Sequence, residues 1–358
     1  MKSFVQYDLM EKTENKIKAP SQLRNCKGSL SITALWMLAL LSLLGLGVMR
    51  NVLMGLKLEN YATRSAEAAW LARAGVYHAI SVLTIQAAAD SLQSFDALTQ
   101  PWAHDPERFA QVACGQGVFE VSYPNPTSDP ELSRIYGMVD ENRKINLNRA
   151  SREWLLRLPG MTAAKVAALL DWRDDDDQVR KDGAEATYYK QLEHPHSCKN
   201  SDFEFVEELT LVRDFTEEDL RNLSELITVH GDGQININTA SEKVLEIMGL
   251  DPELARKIVR FRSGSDGQPF TSDDVVFQKV DDIVKQLTDA LKLKPSDQAL
   301  LNQLVTEQNL GVRSSHFTIE STGMSMNGQV RRKVTAVVHR VNAKRVDVIH
   351  WTEPRHLK

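Results

Sequence analysis

The sequence predicts an α+β protein with a long N-terminal helix, antiparallel strands, and a helical region set between those strands. Three observations lead to this fold class. An uncharged apolar segment near the start continues into an amphipathic one, alternating apolar and polar residues occur on both sides of the middle of the chain, and the middle carries a repeated helical pattern. At 358 residues the chain can bury a full core and divide into more than one domain.

The first predicted element is a membrane helix. From Ser29 to Met49 the sequence SLSITALWMLALLSLLGLGVM contains no charge, and it is long enough to cross a hydrocarbon core of roughly 30 Å. A secretory signal has an apolar stretch of about 7 to 15 residues and a small-residue cleavage site. This stretch is longer, and Arg50 follows it directly. We therefore expect an anchor that is not removed after its apolar run.

The leader before this helix is basic. Residues 1–28 contain six Lys or Arg and three Asp or Glu. By the positive-inside rule the leader stays in the cytoplasm, and everything after Arg50 lies across the membrane. Because the leader carries +3 and the whole chain −5, the exported part carries −8, which argues against a basic phosphate-binding surface.

The helical pattern continues beyond the membrane surface. No proline occurs from Val52 to Leu83, and apolar residues recur at helical spacing between charged ones. These apolar positions are Leu56, Ala62, Ala66, Ala69, Trp70, Val76, Tyr77 and Ile80. We predict one helix of about 55 residues, roughly 80 Å long, with one half in lipid and the other on a folded domain.

Alternating patterns predict strands on either side of a long middle region that is helical throughout. The predicted strands are 118–123, 134–139, 316–321, 330–341 and 345–350. Asn327-Gly328 is typical of a tight hairpin turn and joins two of them.

The middle region contains an internal repeat. Residues 144–151 (KINLNRAS) match residues 234–241 (QININTAS), ninety positions later. After a one-residue slip Gly160 matches Gly249, and Trp172-Arg173 matches Phe261-Arg262. Each copy has the pattern of an extended I-N-[LI]-N segment, a capped helix, a glycine turn and a second helix, which indicates a duplicated unit.

Each glycine turn resembles that of a helix-hairpin-helix, Leu158-Pro159-Gly160-Met161 in the first copy and Ile247-Met248-Gly249-Leu250 in the second. Such a turn can present backbone N–H groups to a DNA phosphate, or it can simply reverse the chain between packed helices. A phosphate-binding turn needs lysines and arginines around it. The region is acidic, so the packing role is favoured.

An acidic run, Asp174 to Asp177, follows the first unit, with Asp182 and Glu185 close behind. Residues 171–208 contain twelve acids and five bases, a net charge of −7. Adjacent carboxylates repel one another unless water or a cation separates them, and Ca²⁺ accepts about 6 to 8 oxygen ligands in flexible geometry. The loop is not an EF-hand, because Val179 stands where the sixth residue would be glycine. These residues alone leave a calcium site and a solvated loop equally open.

The remaining patterns give little support for other chemistry. His194-Pro195-His196-Ser197-Cys198 has no second cluster at zinc spacing, so an exposed polar loop is favoured. Cys114 and Cys198 are the exported cysteines, and a disulfide and two free thiols are equally compatible with the sequence. No HExxH or P-loop occurs, and Gly323-Met324-Ser325-Met326-Asn327 lacks the second glycine of a nucleophile elbow, so no enzyme is predicted.

A basic leader ending in Lys27-Gly28, then an apolar helix running into an amphipathic one, resembles the type IV pilin and pseudopilin class. From Gly28 to about Arg340 the chain more closely resembles the type II secretion minor pseudopilin K family. The motifs that carry this resemblance are DENRKINLN (140–148), DWRD (171–174) with GAE (183–185) and YY (188–189), FVEEL (205–209) and ININTA (235–240).

The resemblance implies a pilin-like fold, in which the long N-terminal helix packs on an antiparallel sheet and a large all-α domain with the duplicated units is inserted between strands. The implied domains are a leader (1–28), the transmembrane half of the helix (29–49), its amphipathic half with the first strands (50–148), the inserted domain (149–311) and the C-terminal strands (312–358).

The family resemblance also implies processing and calcium binding. Prepilin peptidase would cut after Gly28, leaving Ser29 as the methylated first residue. By motif match, the calcium ligands would be Asp174, Asp176 and Glu185, with Asp177 and Asp182 as further candidates.

One position bears on assembly. Most pilins have a glutamate at the fifth mature residue, where it meets the N-terminal amine of a neighbouring subunit, and here that residue is Thr33. A buried unpaired carboxylate is costly, so its absence fits a subunit with no neighbour ahead of it. The resemblance implies a pseudopilus tip that contacts minor pseudopilins I and J through Leu56, Trp70, Val76 and Ile80.

As a minor pseudopilin the chain would be a single-pass inner-membrane protein with a periplasmic bulk. It would work with the inner-membrane secretion platform to support export across the outer membrane. Two other functions stay open, a membrane-anchored DNA-binding protein of an uptake apparatus and an adhesin-like pilus tip. The acidic charge argues against the first, and we expect no nucleic-acid partner.

Overall fold

The computed structural model describes residues 27–89, 95–125, 133–326, 328 and 330–353. The leader residues 1–26 and Asn327 therefore lie outside the described residues, and of Gly28 and Ser29 only the backbone is described. The chain divides into two compact units, 1–61 and 62–358.

The helices within the described residues are α1 (Lys27–Ala89), α2 (Pro106–Phe109), α3 (Arg152–Arg157), α4 (Ala163–Arg173), α5 (Ala186–Tyr189), α6 (Glu217–Leu223), α7 (Glu242–Ile247), α8 (Pro252–Arg262), α9 (Ile283–Leu291) and α10 (Pro295–Thr306). Short 3-10 helices are Glu141–Arg143, Val206–Leu211 and Val280–Asp282.

The strands of the described chain are β1 (Val112–Cys114), β2 (Gly117–Val121), β3 (Tyr123–Pro124), β4 (Arg134–Ile135), β5 (Val139–Asp140), β6 (Ile145–Asn146), β7 (Ile227–Thr228), β8 (Ile235–Asn236), β9 (Leu310–Gly311), β10 (His316–Ser325), β11 (Arg331–Asn342) and β12 (Arg345–Thr352).

Helix α1 is a single helix, as predicted, and with 63 residues it is longer than the predicted helix. From Leu30 to Tyr61 every side chain is exposed. By length and composition the segment Leu30–Ile85 can cross a membrane. The absence of proline lets the backbone ladder continue without interruption.

The second half of α1 packs on the sheet through mostly small residues. Its buried stripe consists of Ala68, Leu71, Ala72, Val76, Ala79, Val82 and Leu83. The spacing of three and four residues places these side chains on one helix face. The approach is close, because a side chain at Gly323 of β10 would collide with the backbone of Ala68 and Ala72.

The main sheet is antiparallel, in the order β1-β2-β10-β11-β12, with β5 pairing with the start of β10. The predicted strand 134–139 is interrupted, since only its ends are strand. Between them, Tyr136 O accepts a bond from Asp105 N and Met138 N donates to Trp102 O. The middle of this segment therefore bonds to a loop and leaves the sheet.

The inserted region is a tandem duplication, but it is not all-α as predicted. In the first copy β6 pairs in parallel with β7, and in the second β8 pairs in parallel with β9. After its first strand each copy places two helices joined by a glycine turn, α3–α4 in the first copy and α7–α8 in the second, with Ser151 and Ser241 as N-caps. The turn glycines Gly160 and Gly249 have φ values of +70° and +110°. In each copy the strand at the beginning pairs with the strand at the end, so each strand pair joins the two ends of its copy.

A buried polar network joins the insert to the sheet. Asp140 accepts hydrogen bonds from Thr239 Oγ1 at 2.5 Å and Ser314 Oγ at 2.6 Å. Asp96 accepts from Ser314 N at 2.8 Å and pairs with Arg340 at 2.6 Å. Because these charged groups are buried, their mutual bonds fix how the insert meets the sheet.

Candidate functional site

The acidic loop starts from a fixed point at the end of α4. Asp174 is the C-cap of this helix. The guanidinium of Arg173 donates to the carbonyl oxygens of Leu147 and Ala150. Arg262 makes the corresponding pair of bonds in the second copy. In both copies, therefore, an arginine at the end of the second helix binds the extended segment that begins the copy.

Three carboxylates converge in this loop. Asp174, Asp176 and Glu185 each place a carboxylate oxygen within 4.8 Å of the others. Glu185 is only 5% exposed, and neither of its carboxylate oxygens lies within hydrogen-bond distance of a donor, the Cys198 thiol beside it being a weak one. Asp174 Oδ1 is likewise buried without a partner. Buried acceptors without donors are costly, so a cation would satisfy what the chain leaves unpaired.

Asn200 offers a further side-chain oxygen at this site, and sequence reasoning missed it. Its Nδ2 donates to Asp176 O at 2.9 Å and to Asp177 Oδ1 at 3.1 Å, while its own Oδ1 is buried without a partner. It lies beyond α5, and no spacing rule connects it to the acidic run. Amide and carboxylate oxygens together form the ligand type that Ca²⁺ prefers.

The electrostatics of the loop also favour a cation. Burial raises the pKa of Glu185 from 4.5 to about 7, and the negative charges of Asp171 and Asp174 add to the shift. Arg180 pairs with both aspartates, at 2.8 Å to Asp171. No described cation contacts the Glu185 carboxylate. A side chain at Gly183 would collide with Asp171, so a glycine is required where the loop folds back.

The other two predicted ligands lie outside the carboxylate cluster. Asp177 is exposed and accepts the bond from Asn200. Asp182 is exposed, with a left-handed φ of +65°. The structure therefore brings together three of the five predicted carboxylates.

In the corresponding loop of the second copy, hydroxyl and backbone N–H groups bind the acidic side chain. Asp273 accepts hydrogen bonds from Ser265 N and Ser265 Oγ, both at 2.7 Å, and from Thr271 Oγ1. These bonds hold the pKa of Asp273 far below its ordinary value. The two copies therefore share a backbone plan and differ in how their loops neutralise acidic groups.

The His194–Cys198 motif contributes packing. The His196 ring lies against Trp172 and Tyr189, with centroids 5.8 and 5.0 Å apart. Burial raises the pKa of Cys198 to about 12, so its thiol stays protonated at neutral pH. Cys114 and Cys198 are both free thiols, which settles the question left open by the sequence.

Basic side chains near the two glycine turns form bonds within the chain. Lys165 Nζ lies 2.7 Å from Asp219 Oδ1 and also reaches Gly160 O. At the second turn Arg157 donates to Ile247 O. These contacts give both turns the packing role that the sequence favoured.

The outer face of α1 carries large apolar side chains. Trp70 is 66% exposed, Tyr77 63% and Ile85 68%. Arg73 lies over the Trp70 ring and forms an ion pair with Glu353. Trp70, Tyr77 and Ile85 form an aromatic and apolar stripe, which we call the outer stripe of α1.

One predicted contact residue is wrong. Val76 is fully buried against the sheet of its own chain and cannot reach a partner. Ile80 is half-buried, whereas Trp70 and Leu56 are exposed. The helical spacing identified apolar positions on both faces, and only the packed sheet shows which face each one occupies.

Comparison with known proteins identifies part of the chain. Residues 138–232 match the family model for protein K of the type II secretion system. Type II secretion system protein K of Pseudomonas aeruginosa is 35% identical over 123 residues, which are 34% of this chain. The match spans about a third of that relative, 34% of its length. We call residues 138–232 the protein K domain, after the family model that they match.

The protein K domain contains β5, the first copy of the duplication and the whole acidic cluster with Asn200. The similarity in fold extends beyond this domain. The crystal structure of the GspK-GspI-GspJ complex from the type 2 secretion system of enterotoxigenic Escherichia coli contains a chain that matches with a TM-score of 0.62. The match has 18% identity and covers 84% of this chain and 99% of that one. The predicted pilin-like α+β architecture is thereby confirmed.

Proposed function

We propose that the chain is a minor pseudopilin K that forms the tip of a type II secretion pseudopilus with minor pseudopilins I and J. There it would initiate or cap assembly and support protein export across the outer membrane, without catalytic activity. The observation that carries the proposal is the protein K domain set within a fold shared with a chain of the GspK-GspI-GspJ complex. A long apolar N-terminal helix in the same chain supports it.

The N-terminal helix supports anchoring in the inner membrane with the bulk in the periplasm. We propose that prepilin peptidase cuts after Gly28 and that Ser29 is then methylated, before the inner-membrane platform assembles the pseudopilus. Thr33 Oγ1 donates to Leu30 O at 2.9 Å, so its polar group is satisfied within its own helix. Thr33 carries no charge, so, unlike a glutamate at this position, it needs no neighbouring subunit to neutralise it, which fits a subunit at the tip. Mass spectrometry of the mature N-terminus tests the cleavage, and a chain that keeps its leader contradicts it.

The outer stripe of α1 is the surface we propose for minor pseudopilins I and J. Large exposed apolar side chains grouped on one face mark protein interfaces, and aromatic residues contribute most of the binding energy. Trp70 and Tyr77 supply two such aromatic residues on one face. Neither contributes to the buried core beneath the helix, so both can be changed without opening that core.

Co-purification tests this surface. The full chain in detergent is expected to retain I and J, and Trp70→Glu with Tyr77→Glu is expected to lose them. Leu211→Glu is the matched control, because Leu211 is also exposed, at 48%, but lies on the insert. Loss of I and J with the control, or their retention by the double variant, would contradict the proposed surface. A gel shift with DNA by the same preparation would instead favour the uptake function.

We further propose that the acidic cluster binds Ca²⁺ through Asp174, Asp176 and Glu185, with Asn200 Oδ1 as an additional ligand. The residues fit a hard cation, because they present buried oxygens without donors and carry excess negative charge. The bound ion would neutralise this charge and hold the loop against the end of α4. Calorimetric titration should show Ca²⁺ binding that Glu185→Gln weakens, and no heat of binding would contradict the site.

A further inference from the structure

Three imidazole rings form a stack where the insert meets the sheet. His316 of β10 and His339 of β11 are directly opposite in the strand register, and their ring centroids lie 4.4 Å apart at 4°. His230, which follows β7 in the insert, continues the stack at 6.3 Å and 10° from His316. We call His230, His316 and His339 the histidine stack. It spans two neighbouring strands and the insert.

Hydrogen bonds hold the segments on either side of the stack, in the insert and at the start of β10. His316 Nδ1 lies 2.8 Å from Ser315 Oγ, and Asn142 Oδ1 accepts a bond from Ser315 N at 3.0 Å. On the other side, Asn146 Nδ2 donates to His230 O at 3.0 Å. These bonds fix the backbone of both segments beside the stack, and Ser315 holds the His316 ring.

The charged groups that face the stack offer it little neutralisation. These groups are Glu141, Lys144, Glu207, Asp232, Asp347 and His350. Glu141 pairs with Lys144 at 3.1 Å, and Asp347 with Arg345 at 2.8 Å. Glu207 and Asp232 are exposed to solvent, which screens their charges. A positive charge on more than one ring would therefore be poorly compensated.

We propose that the histidine stack is a pH-sensitive lock between the insert and the sheet. Uncharged rings stack and hold the junction closed. A second proton places like charges on neighbouring rings, since the centroids of His316 and His339 are 4.4 Å apart, and like charges at this range oppose each other's ionisation. Acidification thus weakens the contact between the insert and β10.

The direction of the effect follows from the charge states. Burial, and then the charges of His339 and His230, lower the pKa of His316 from 6.5 to about 4. The unfolded chain therefore takes up this proton first, so the stabilisation is fully present above pH 6.5 and is lost as the pH falls towards 4. Asp140, in the same junction, acts in the opposite direction, because burial raises its pKa to about 6. Total stability against pH mixes both groups, so the test must observe the histidines directly.

Nuclear magnetic resonance of the full chain in detergent, labelled at histidine Cε1, tests the proposal from pH 7.5 to 4. The His316 resonance is expected to stay neutral until well below pH 6.5. His339→Gln should raise its pKa by about one unit, which is a tenfold change in proton affinity. His350→Gln is the matched control, because His350 faces the stack without belonging to it, and should move His316 less. A His316 that titrates near 6.5 would overturn the proposal.

Hydrogen exchange provides the second measurement. After correction for the intrinsic rate, His316 is expected to contribute a loss of about tenfold in the protection of amides 228–234 and 314–317 between pH 7.5 and 5. The opposite effect of Asp140 is present in the wild type and in the histidine variants alike, so comparing them isolates this loss. His316→Gln should remove this loss, and His339→Gln should reduce it if the first variant does not fold. Equal loss of protection in the wild type and in the variants would overturn the lock.

Discussion

Replacing Glu185 by glutamine should stabilise the protein without calcium and destabilise it with calcium. Without a cation, the Glu185 carboxylate is buried, unpaired and close to other negative charges. Glutamine keeps the shape and removes the charge. With calcium present, the same charge becomes a ligand, and its removal should weaken binding. One substitution is therefore expected to change the free energy of unfolding in opposite directions under two conditions.

The magnitude follows from the pKa of Glu185. Its rise from 4.5 to about 7 corresponds to a cost of about 3 kcal/mol for folding with the charged side chain. Solvent screens little of this, because Glu185 is 5% exposed. Since the folded pKa is the higher one, the stabilisation by protonation is present below pH 4.5 and lost as the pH rises through 7. The full cost is therefore expected at pH 8 and most of it should disappear at pH 5.

Thermal unfolding followed by tryptophan fluorescence can measure this, because Trp172 lies close to the loop. At pH 8 in chelator, Glu185→Gln should melt roughly 5–10 °C above the wild type, by the usual relation between free energy and melting temperature. At a calcium concentration about a hundredfold above the dissociation constant, the wild type should gain about 2.7 kcal/mol and melt above the variant. Glu193→Gln, an exposed acid of the same segment, is the control and should change neither value.

Two results would refute this reasoning. If Glu185→Gln is destabilising in chelator at pH 8, the carboxylate is not an unpaired charge in the folded protein. If calcium raises both melting temperatures equally, the ion binds elsewhere. Either result would leave the assembly proposal intact, since the surface tested there lies on α1.

Three further changes test the packing. Gly323→Leu should lower the free energy of unfolding by more than about 2 kcal/mol in urea melts, because the side chain meets the α1 backbone, whereas Gly55→Leu enters open space on a helix and should not destabilise. Arg340→Met should cost about 3–5 kcal/mol by leaving a buried carboxylate unpaired, and Arg345→Met, in an exposed pair, at most about 1 kcal/mol. Asn238→Ala should cost about 2–3 kcal/mol, because its amide bonds three buried backbone groups, and a neutral melt would contradict that network.

Much of the fold could be predicted because local patterns carry it. A proline-free apolar stretch that continues as an amphipathic one predicts one helix whatever surrounds it. The repeat of I-N-[LI]-N, serine cap and glycine turn also depends on local bonds, since Asn146 Oδ1 accepts from Asn148 N and Asn236 Oδ1 accepts from Asn238 N at equivalent places. The parallel pairs β6–β7 and β8–β9 were missed, because each joins two-residue segments more than seventy positions apart.

The candidate metal site was predictable only in part. A dense acidic run and the family resemblance indicated Asp174, Asp176 and Glu185, and the structure brings these together. Asn200 returns to the loop from a distant segment, which no local pattern records. The histidine stack was missed for the same reason, because its three residues come from the insert and from two strands.

The sequence by itself determined the elements whose cause is local: the apolar segment from Ser29 to Met49, the single long helix, the duplicated unit and the excess negative charge of the acidic loop. Tertiary structure alone decided which face of α1 is buried. Val76 and Trp70 both belong to the helical pattern of hydrophobic residues, yet one is fully buried and the other 66% exposed. Hydrophobicity drives burial without specifying direction, and the close approach of the helix at Gly323 selects the face with the small residues.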